Sequence, residues 1–269
     1  MSHLLREHAP VSELNWNQID TEARERLAPG LAARRLVDFV GPLGWQHSAT
    51  NLGRVTPVGF AAAAGSARLE PRSRVVLPLA ELHADFSVSR SELRAGDRGA
   101  EDVDFDDLDA AAEVVATAEN IAVFHGWAEA GIDGITTQTP HGVIKAGKAI
   151  EDYPIKVAQA VELLLRSGVD GPYGIALGRD EYTRVIQTTE HGGYLLAEHL
   201  KRILEGPLVW APGVKGAVVV SLRGGDFLFE SGQDLSVGYA THDAENVNLY
   251  IEESFSFRVA TPEAAVAIA

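Results

Sequence analysis

Nine histidines are the side chains of this 269-residue chain best suited to proton transfer near neutral pH: His3, His8, His47, His83, His125, His141, His191, His199 and His242. A histidine acts as a base or a metal ligand only when a second group is held beside it. No two of the nine show the H-E-x-x-H spacing that sets two imidazoles on one helix face. His125 falls within an apolar helical run beside Trp127, the setting of a hydrogen-bonded core histidine. His191 falls in a glycine-bearing loop, where it can line a pore, act as a base or do neither. Cysteine is absent, which removes disulfides, thiol nucleophiles and thiolate metal sites together. Paired carboxylates such as Asp106-Asp107 and Glu252-Glu253 are expected by chance in a chain this acidic. Asp102-Val103-Asp104-Phe105-Asp106 lacks the glycine and distal glutamate of a calcium loop. There is no G-x-S-x-G elbow, phosphate-binding lysine loop or dinucleotide fingerprint. The chain therefore reads as a non-enzyme, with no catalytic residue, no metal ligand and no cofactor assigned.

Charge narrows the partners. Lys and Arg number 23 against 38 Asp and Glu, a formal net charge of −15, and no basic run is present. Nucleic-acid binding draws on cationic side chains that neutralise phosphates, so a nucleic-acid partner is not expected. No apolar run is long enough to span a bilayer. Met1-Ser2-His3-Leu4-Leu5-Arg6-Glu7 lacks the layout of a secretory signal. A cytoplasmic protein with no membrane partner is the expectation.

The elements that must position any site are clearest near the C-terminus. Ala217–Leu222 is a short valine-rich strand, and Arg223-Gly224-Gly225-Asp226 is a turn. Phe227 and Phe229 share one face of a second strand, and Leu235, Val237 and Tyr239 one face of a third. From Val247 to Val259 the apolar residues Val247, Leu249, Ile251, Phe255, Phe257 and Val259 alternate with polar ones. Glu253 alone breaks the alternation. A bulge or a charged contact at a subunit interface would each account for it.

Upstream, Ser12 is a helix N-cap, and Trp16, Ile19, Ala23 and Leu27 recur at helical spacing until Pro29-Gly30 should break the helix. Leu31–Val40 resumes an apolar pattern. Such a stripe either covers a core or receives a partner segment. Asn51–Val76 reads as an extended arm around a loose centre, with Arg68, Arg72 and Arg74 on its return limb. Those arginines pair with acidic surface on a neighbour or are solvated. A heavily buried helix is expected from Asp104 to Ala130, ended by Gly131 and Gly134, with an acidic first turn that the helix dipole favours. Tyr153–Trp210 reads as a compact α/β lobe, Asp180 capping one of its helices, and the later strands are expected to return to the first part of the chain.

Ordered short motifs carry a family resemblance. Leu5-Arg6-Glu7-His8-Ala9-Pro10, Ala33-Arg34-Arg35-Leu36-Val37-Asp38, Gly41-Pro42-Leu43-Gly44-Trp45, Leu77-Pro78-Leu79-Ala80-Glu81-Leu82, Phe124-His125-Gly126-Trp127 and Gly171-Pro172-Tyr173 lead to RGGDF, GQDLSVGY and ESFSFRV. Together, over almost the whole chain, they resemble the encapsulin shell proteins of the linocin-M18-like type. The resemblance implies an α+β fold of the HK97 phage-capsid type, with a peripheral domain, an axial domain and an extended loop. Residues 1–50 would hold the N-terminal helix and the start of the peripheral domain, 51–76 the extended loop, and 77–134 the peripheral domain with its spine helix. Residues 135–212 would form the axial domain, and 213–269 would complete the peripheral domain, with only Thr261–Ala269 beyond its last strand.

The function implied by that resemblance is a self-assembling icosahedral nanocompartment, with T=1 the expected arrangement. It would enclose a dye-decolourising peroxidase or ferritin-like protein, cargo tied to oxidative stress and iron storage, through a C-terminal targeting peptide. The positions that match the family's cargo-peptide wall are Leu27, Leu31, Arg34, Asp38, Asp234, Leu235 and Val237. Those that match its fivefold pore loop are Thr189, Glu190, His191, Gly192, Gly193 and Tyr194. Two rival readings are a prophage major capsid protein, which would package nucleic acid, and a bacteriocin-like or hydrolytic enzyme.

Overall fold

The computed structural model describes residues 3–59, 69–147, 150–190 and 193–269. The Ser12 hydroxyl accepts the Asn15 N–H at 3.2 Å and opens α1 (Glu13–Gly30). Trp16, Ile19, Ala23 and Leu27 form its buried stripe. Pro29 does not interrupt this helix, because it sits in the last turn, one residue before the end. The run from Leu31 to Val40 makes a 3-10 turn at Ala33–Arg35 and then β1 (Asp38–Val40).

The chain continues through β2 (Ala49–Pro57), β3 (Arg72–Pro78), β4 (Ala80–Ser89), α2 (Arg90–Asp97), α3 (Asp106–His125) and α4 (Ile135–Gln138). It then forms α5 (Tyr153–Arg166), β5 (Tyr173–Leu177), α6 (Arg179–Gln187), α7 (Leu196–Leu204), β6 (Leu208–Trp210) and β7 (Ala217–Ser221). It closes with β8 (Phe227–Ser231), β9 (Ser236–His242), β10 (Asn246–Val259) and β11 (Ala265–Ile268).

Strand β10 is the hub of a five-stranded sheet. It pairs antiparallel with β4 along one side, and with β9 and then β8 along the other; β1 adds to β8 in parallel. The expected apolar face is buried, and so is the opposite face, where Tyr250, Glu252, Ser254 and Ser256 are covered. That second face is satisfied by hydrogen bonds: His3 Nε2 lies 2.7 Å from Glu252 Oε1, and the Gln233 N–H donates to Ser254 Oγ at 2.8 Å. The one register shift against β9 lies between Asn248 and Leu249, so no bulge absorbs Glu253.

The second sheet runs β11-β7-β5-β6. Here the structure departs from the sequence expectation. Strand β7 does not return to the first part of the chain but pairs with β5, and the last residues are not a bare tail, since β11 pairs with β7. Helices α5 and α7 bury Val157, Leu164, Leu200 and Leu204 in the core that this sheet shares. In α6 the N-cap is Gly178, so Asp180 lies in the first turn, where the helix dipole favours an acid. Strands β2 and β3 pair only with each other. Arg68 lies outside the described residues, whereas Arg72 pairs with Glu70 at 3.0 Å.

Helix α3 belongs to both cores. Leu108, Ala112 and Val115 pack with α1 beneath the first sheet, and Val123 and Phe124 pack with the second. Val114 and Ile121, expected to be buried, are exposed. The helix stops at His125 rather than Ala130, because Gly126 has φ 92° and lies back to back with Gly134, where a Cβ would meet the Gly126 nitrogen at 2.1 Å. Asn120, fully buried, joins three segments. Its Nδ2 donates to Gly30 O at 2.7 Å and Pro212 O at 3.1 Å, and its Oδ1 accepts the Ala33 N–H at 3.0 Å. Asn120→Ala strands these buried backbone groups, and the expected loss is about 2–4 kcal/mol. It is read as a lower thermal unfolding midpoint than that of the parent chain in matched preparations.

Candidate functional site

A groove of about 380 Å³ lies between α1 and the start of β9. Ala23, Leu27, Ala28 and Leu31 form the helical wall, and Leu235, Val237 and Ile251 form the sheet wall. Leu4, Arg6 and Asp20 stand toward one end, Arg34 and Asp234 toward the other. The structure thus brings together six of the seven residues singled out for a peptide wall: Leu27, Leu31, Arg34, Asp234, Leu235 and Val237. Asp38 lies elsewhere, in a hollow with Ser221, Leu222 and Phe227, where its Oδ2 accepts the Gly225 N–H at 2.6 Å and braces the β7–β8 turn. The α1 periodicity, extended from Asp20 through Ala23 and Leu27 to Leu31, was the signal for the groove residues that sequence reasoning missed.

One end of the groove rests on a buried ionic cluster. Arg34 Nε donates to Glu119 Oε2, Nη1 to Asp234 Oδ1 and Nη2 to Glu253 Oε2, each at 2.6 Å. The Glu119 side chain is 0% exposed and that of Glu253 1%, whereas Asp234 keeps 40% at the surface. Burial works against the Arg34 charge, but Glu119, Glu253 and Asp234 outweigh it and hold the guanidinium ionised above its ordinary value. Burial pushes both glutamates above the usual carboxylate range; Glu119 repels Glu253 further, and Arg34 pulls each partly back. Glu119 and Glu253 are both buried against one guanidinium, while Asp234 keeps partial contact with water, so the pair of glutamates favours holding one proton. Glu119 Oε1 and Glu253 Oε1 accept no other hydrogen bond, which leaves them available for it. Glu253 is therefore the misfit of the alternating strand because it faces Arg34. Glu119 escaped notice, although Glu119-Asn120 inside an apolar helical run was the clue.

The loop candidates separate. His191 and Gly192 lie outside the described residues. Thr189 bridges to Leu195, the Glu190 N–H donates to Tyr194 O at 2.8 Å, and the Gly193 N–H donates to Glu190 O at 2.9 Å. The Glu190 carboxylate turns back to His199, whose Nδ1 lies 2.9 Å from Oε1, and Tyr194 is half exposed. His125 is bound on both sides: its Nδ1 donates to Thr136 Oγ1 at 3.0 Å and its Nε2 accepts the Lys215 N–H at 3.1 Å. Burial, aided by Lys215, lowers its pKa and keeps the ring neutral. Among the described residues, no three His, Asp or Glu side chains gather as a metal site. A hollow of about 890 Å³ between β4 and α3 is larger than the groove, and none of the candidate residues line it.

Comparison with known proteins agrees along the whole chain. Residues 1–256 match the family described as encapsulating protein for peroxidase. A type 1 encapsulin shell protein of Rhodospirillum rubrum is 46% identical over 99% of this chain and 96% of its own length. One of Mycobacterium tuberculosis is 37% identical over 100% of this chain and 99% of its own. Among solved structures, a virus-like particle from Pyrococcus furiosus superposes with a TM-score of 0.62 at 17% identity, covering 94% of this chain and 99% of that one. The capsid of an empty GTA particle gives 0.54 at 17% identity, covering 88% and 89%. These likenesses show the fold, that of HK97-type capsid proteins.

The shared proton makes stability depend on pH. A carboxyl whose folded pKa exceeds its unfolded value binds its proton more tightly in the folded state. Its contribution is full below the unfolded value near 4.3 and is lost as pH rises through the raised folded value. Stability should fall through that window with a slope of up to about 1.4 kcal/mol per pH unit for one proton. Glu253→Gln should flatten the slope, and Arg34→Met should cost about 3–5 kcal/mol at neutral pH by leaving its partners uncompensated. Thermal midpoints across pH check both; a Glu253→Gln profile parallel to the parent's would refute the shared proton.

Proposed function

The chain belongs to the type 1 encapsulin shell family, whose members build a capsid-like cage, and we propose that its own shell encloses an enzyme docked by a C-terminal peptide in the groove between α1 and β9. The groove carries this reading. Residues more than two hundred positions apart in sequence, Leu27 and Leu235 among them, meet as two largely apolar walls, with Arg24 on the helical wall and the other charged groups, Arg6, Asp20, Arg34 and Asp234, around it. That chemistry suits an extended peptide with apolar side chains. The cargo we propose is a dye-decolourising peroxidase or a ferritin-like protein, the first being favoured by the peroxidase in the family's description. The chain is then structural, and catalysis belongs to the cargo.

The same reading assigns the remaining parts. Residues 51–76, held by the β2–β3 ribbon, are the extended loop that reaches a neighbouring copy. Residues 77–134, with α3 as the spine helix, belong to the peripheral domain, and 135–212 to the axial domain. The loop from Thr189 to Tyr194 rings the fivefold pore, where Gly193 and Tyr194 would set its width while Glu190 is tied to His199. A closed T=1 shell in the cytoplasm repeats each modest contact around the particle.

Electron microscopy of particles from the native host, with mass spectrometry of the same fraction, is expected to show uniform icosahedral shells that contain a second protein. Leu31→Asp should give shells of unchanged size that are empty, because a charge in the apolar groove costs about 2–4 kcal/mol. Normal loading of that variant would reject the groove as the docking site.

A further inference from the structure

The groove coincides with a break in the first sheet. On one side of β10, strands β8 and β9 lie end to end. The next column outward is occupied at both ends. Beside β8 stands β1, and beside β9 the N-terminal segment, where the Tyr239 N–H donates to Leu4 O at 2.9 Å. Between them no backbone segment among the described residues pairs with the outer edge from Asp234 to Val237, and the groove lies along it.

The backbone there is set for pairing. In an antiparallel ladder, successive residues turn their N–H and C=O alternately toward and away from the partner strand. Tyr239 turns its N–H outward to Leu4. Val237, two residues back with no register shift between them, therefore turns both its N–H and C=O outward. The Leu235 N–H, just before the strand, is taken by Asp234 Oδ1 at 2.8 Å. Asp234, held by Arg34, thus closes one end of the free edge. Val237 is only 4% exposed, and its outward groups meet no backbone partner among the described residues. Unpaired backbone groups at so covered a position are costly until a partner arrives.

We propose that the cargo's C-terminal peptide docks as an added β-strand on the outer edge of β9, paired to Val237 and filling the gap between Leu4 and β1. This rests on the docking reading above and specifies its mode. The open edge accommodates about four residues at ~3.3 Å each. Alternate side chains of the added strand would lean on Ala23, Leu27 and Leu31 of α1, and those between would face away. Recognition then requires an apolar residue at every second position and an unblocked backbone N–H opposite Val237.

The test uses a fluorescent reporter fused to the C-terminal peptide of the protein found in native particles, co-expressed with the unaltered shell chain. Proline is placed at each peptide position in turn, because proline removes one N–H. Reporter fluorescence per purified shell is expected to fall about fivefold or more at alternate positions and to hold at those between. On the shell, Val237→Pro should lower loading further than Val237→Ala, which trims the side chain from the groove wall but keeps the backbone N–H. Loss without alternation, with Leu31→Asp still abolishing loading, would mean that side chains alone hold the peptide and would overturn the added strand. Loading that survives Leu31→Asp would remove the docking site itself.

Discussion

One guanidinium holds the first sheet, helix α3 and the groove in register. Arg34 enters from the turn after α1 and meets Glu119 of α3, Asp234 at the approach to β9 and Glu253 of β10. It also lies over the rings of Phe39 and Phe229, at 5.1 and 5.4 Å. Withdrawing such groups from water costs several kcal/mol per ion before any pairing is recovered. An apolar cluster of the same volume would stabilise as well, but it would tolerate sliding of the packed elements. Charged hydrogen bonds of fixed direction do not, so the cluster specifies where α1 ends relative to the sheet.

Helix α3 carries that constraint through the molecule. Glu119 fixes it to the first sheet, and Asn120, the next residue, fixes it to the backbone of Gly30, Ala33 and Pro212. Its two ends sit in the two cores, which strand β10 also joins through Leu249 and Ile251 in one and Phe255 and Phe257 in the other. A chain that must repeat one shape around a closed cage needs such a rigid member, because a small angular error per copy prevents closure. Ile155, Leu165 and Ile186 remain about half exposed on α5 and α6. Apolar side chains left in water on these helices accord with a chain that is covered further by its neighbours.

Much of this was legible in the sequence where the physics is local. The Ser12 cap, the α1 stripe and the long alternating strand follow from side-chain periodicity, and the Gly224-Gly225 turn follows from two positive φ values, 87° and 81°. The ordered motifs identified the family and its capsid fold. What failed was set by distant contacts. Ser254 and Ser256 lie on the polar side of the alternating strand, yet residues from the N-terminal third and the β8–β9 connection cover them, which the alternation alone does not show. Strand β7 has the composition of any buried strand, and nothing in Ala217–Ser221 says which sheet it joins. Asp38 was grouped with Arg34 on the family resemblance, but the chain enters β1 at Asp38 and turns its carboxylate toward Gly225.

The same accounting explains how the groove can recognise a ligand. Arg34 spends all three of its nitrogens inside the protein, and Arg6 is tied to Asp20 at 2.8 Å while it lies over Trp16. Most of the charge in the groove is therefore structural and already neutralised. What remains for a ligand is the apolar surface of Leu27, Leu31 and Leu235, the exposed Arg24 on the helical wall, and a strand edge whose backbone groups are unspent. A site of that kind discriminates by side-chain alternation and shape rather than by net charge. It can accept a short peptide in spite of the repulsion that a chain of net charge −15 presents to an acidic partner. If a peptide docks there as proposed, salt should accordingly act on its approach more than on the docked state.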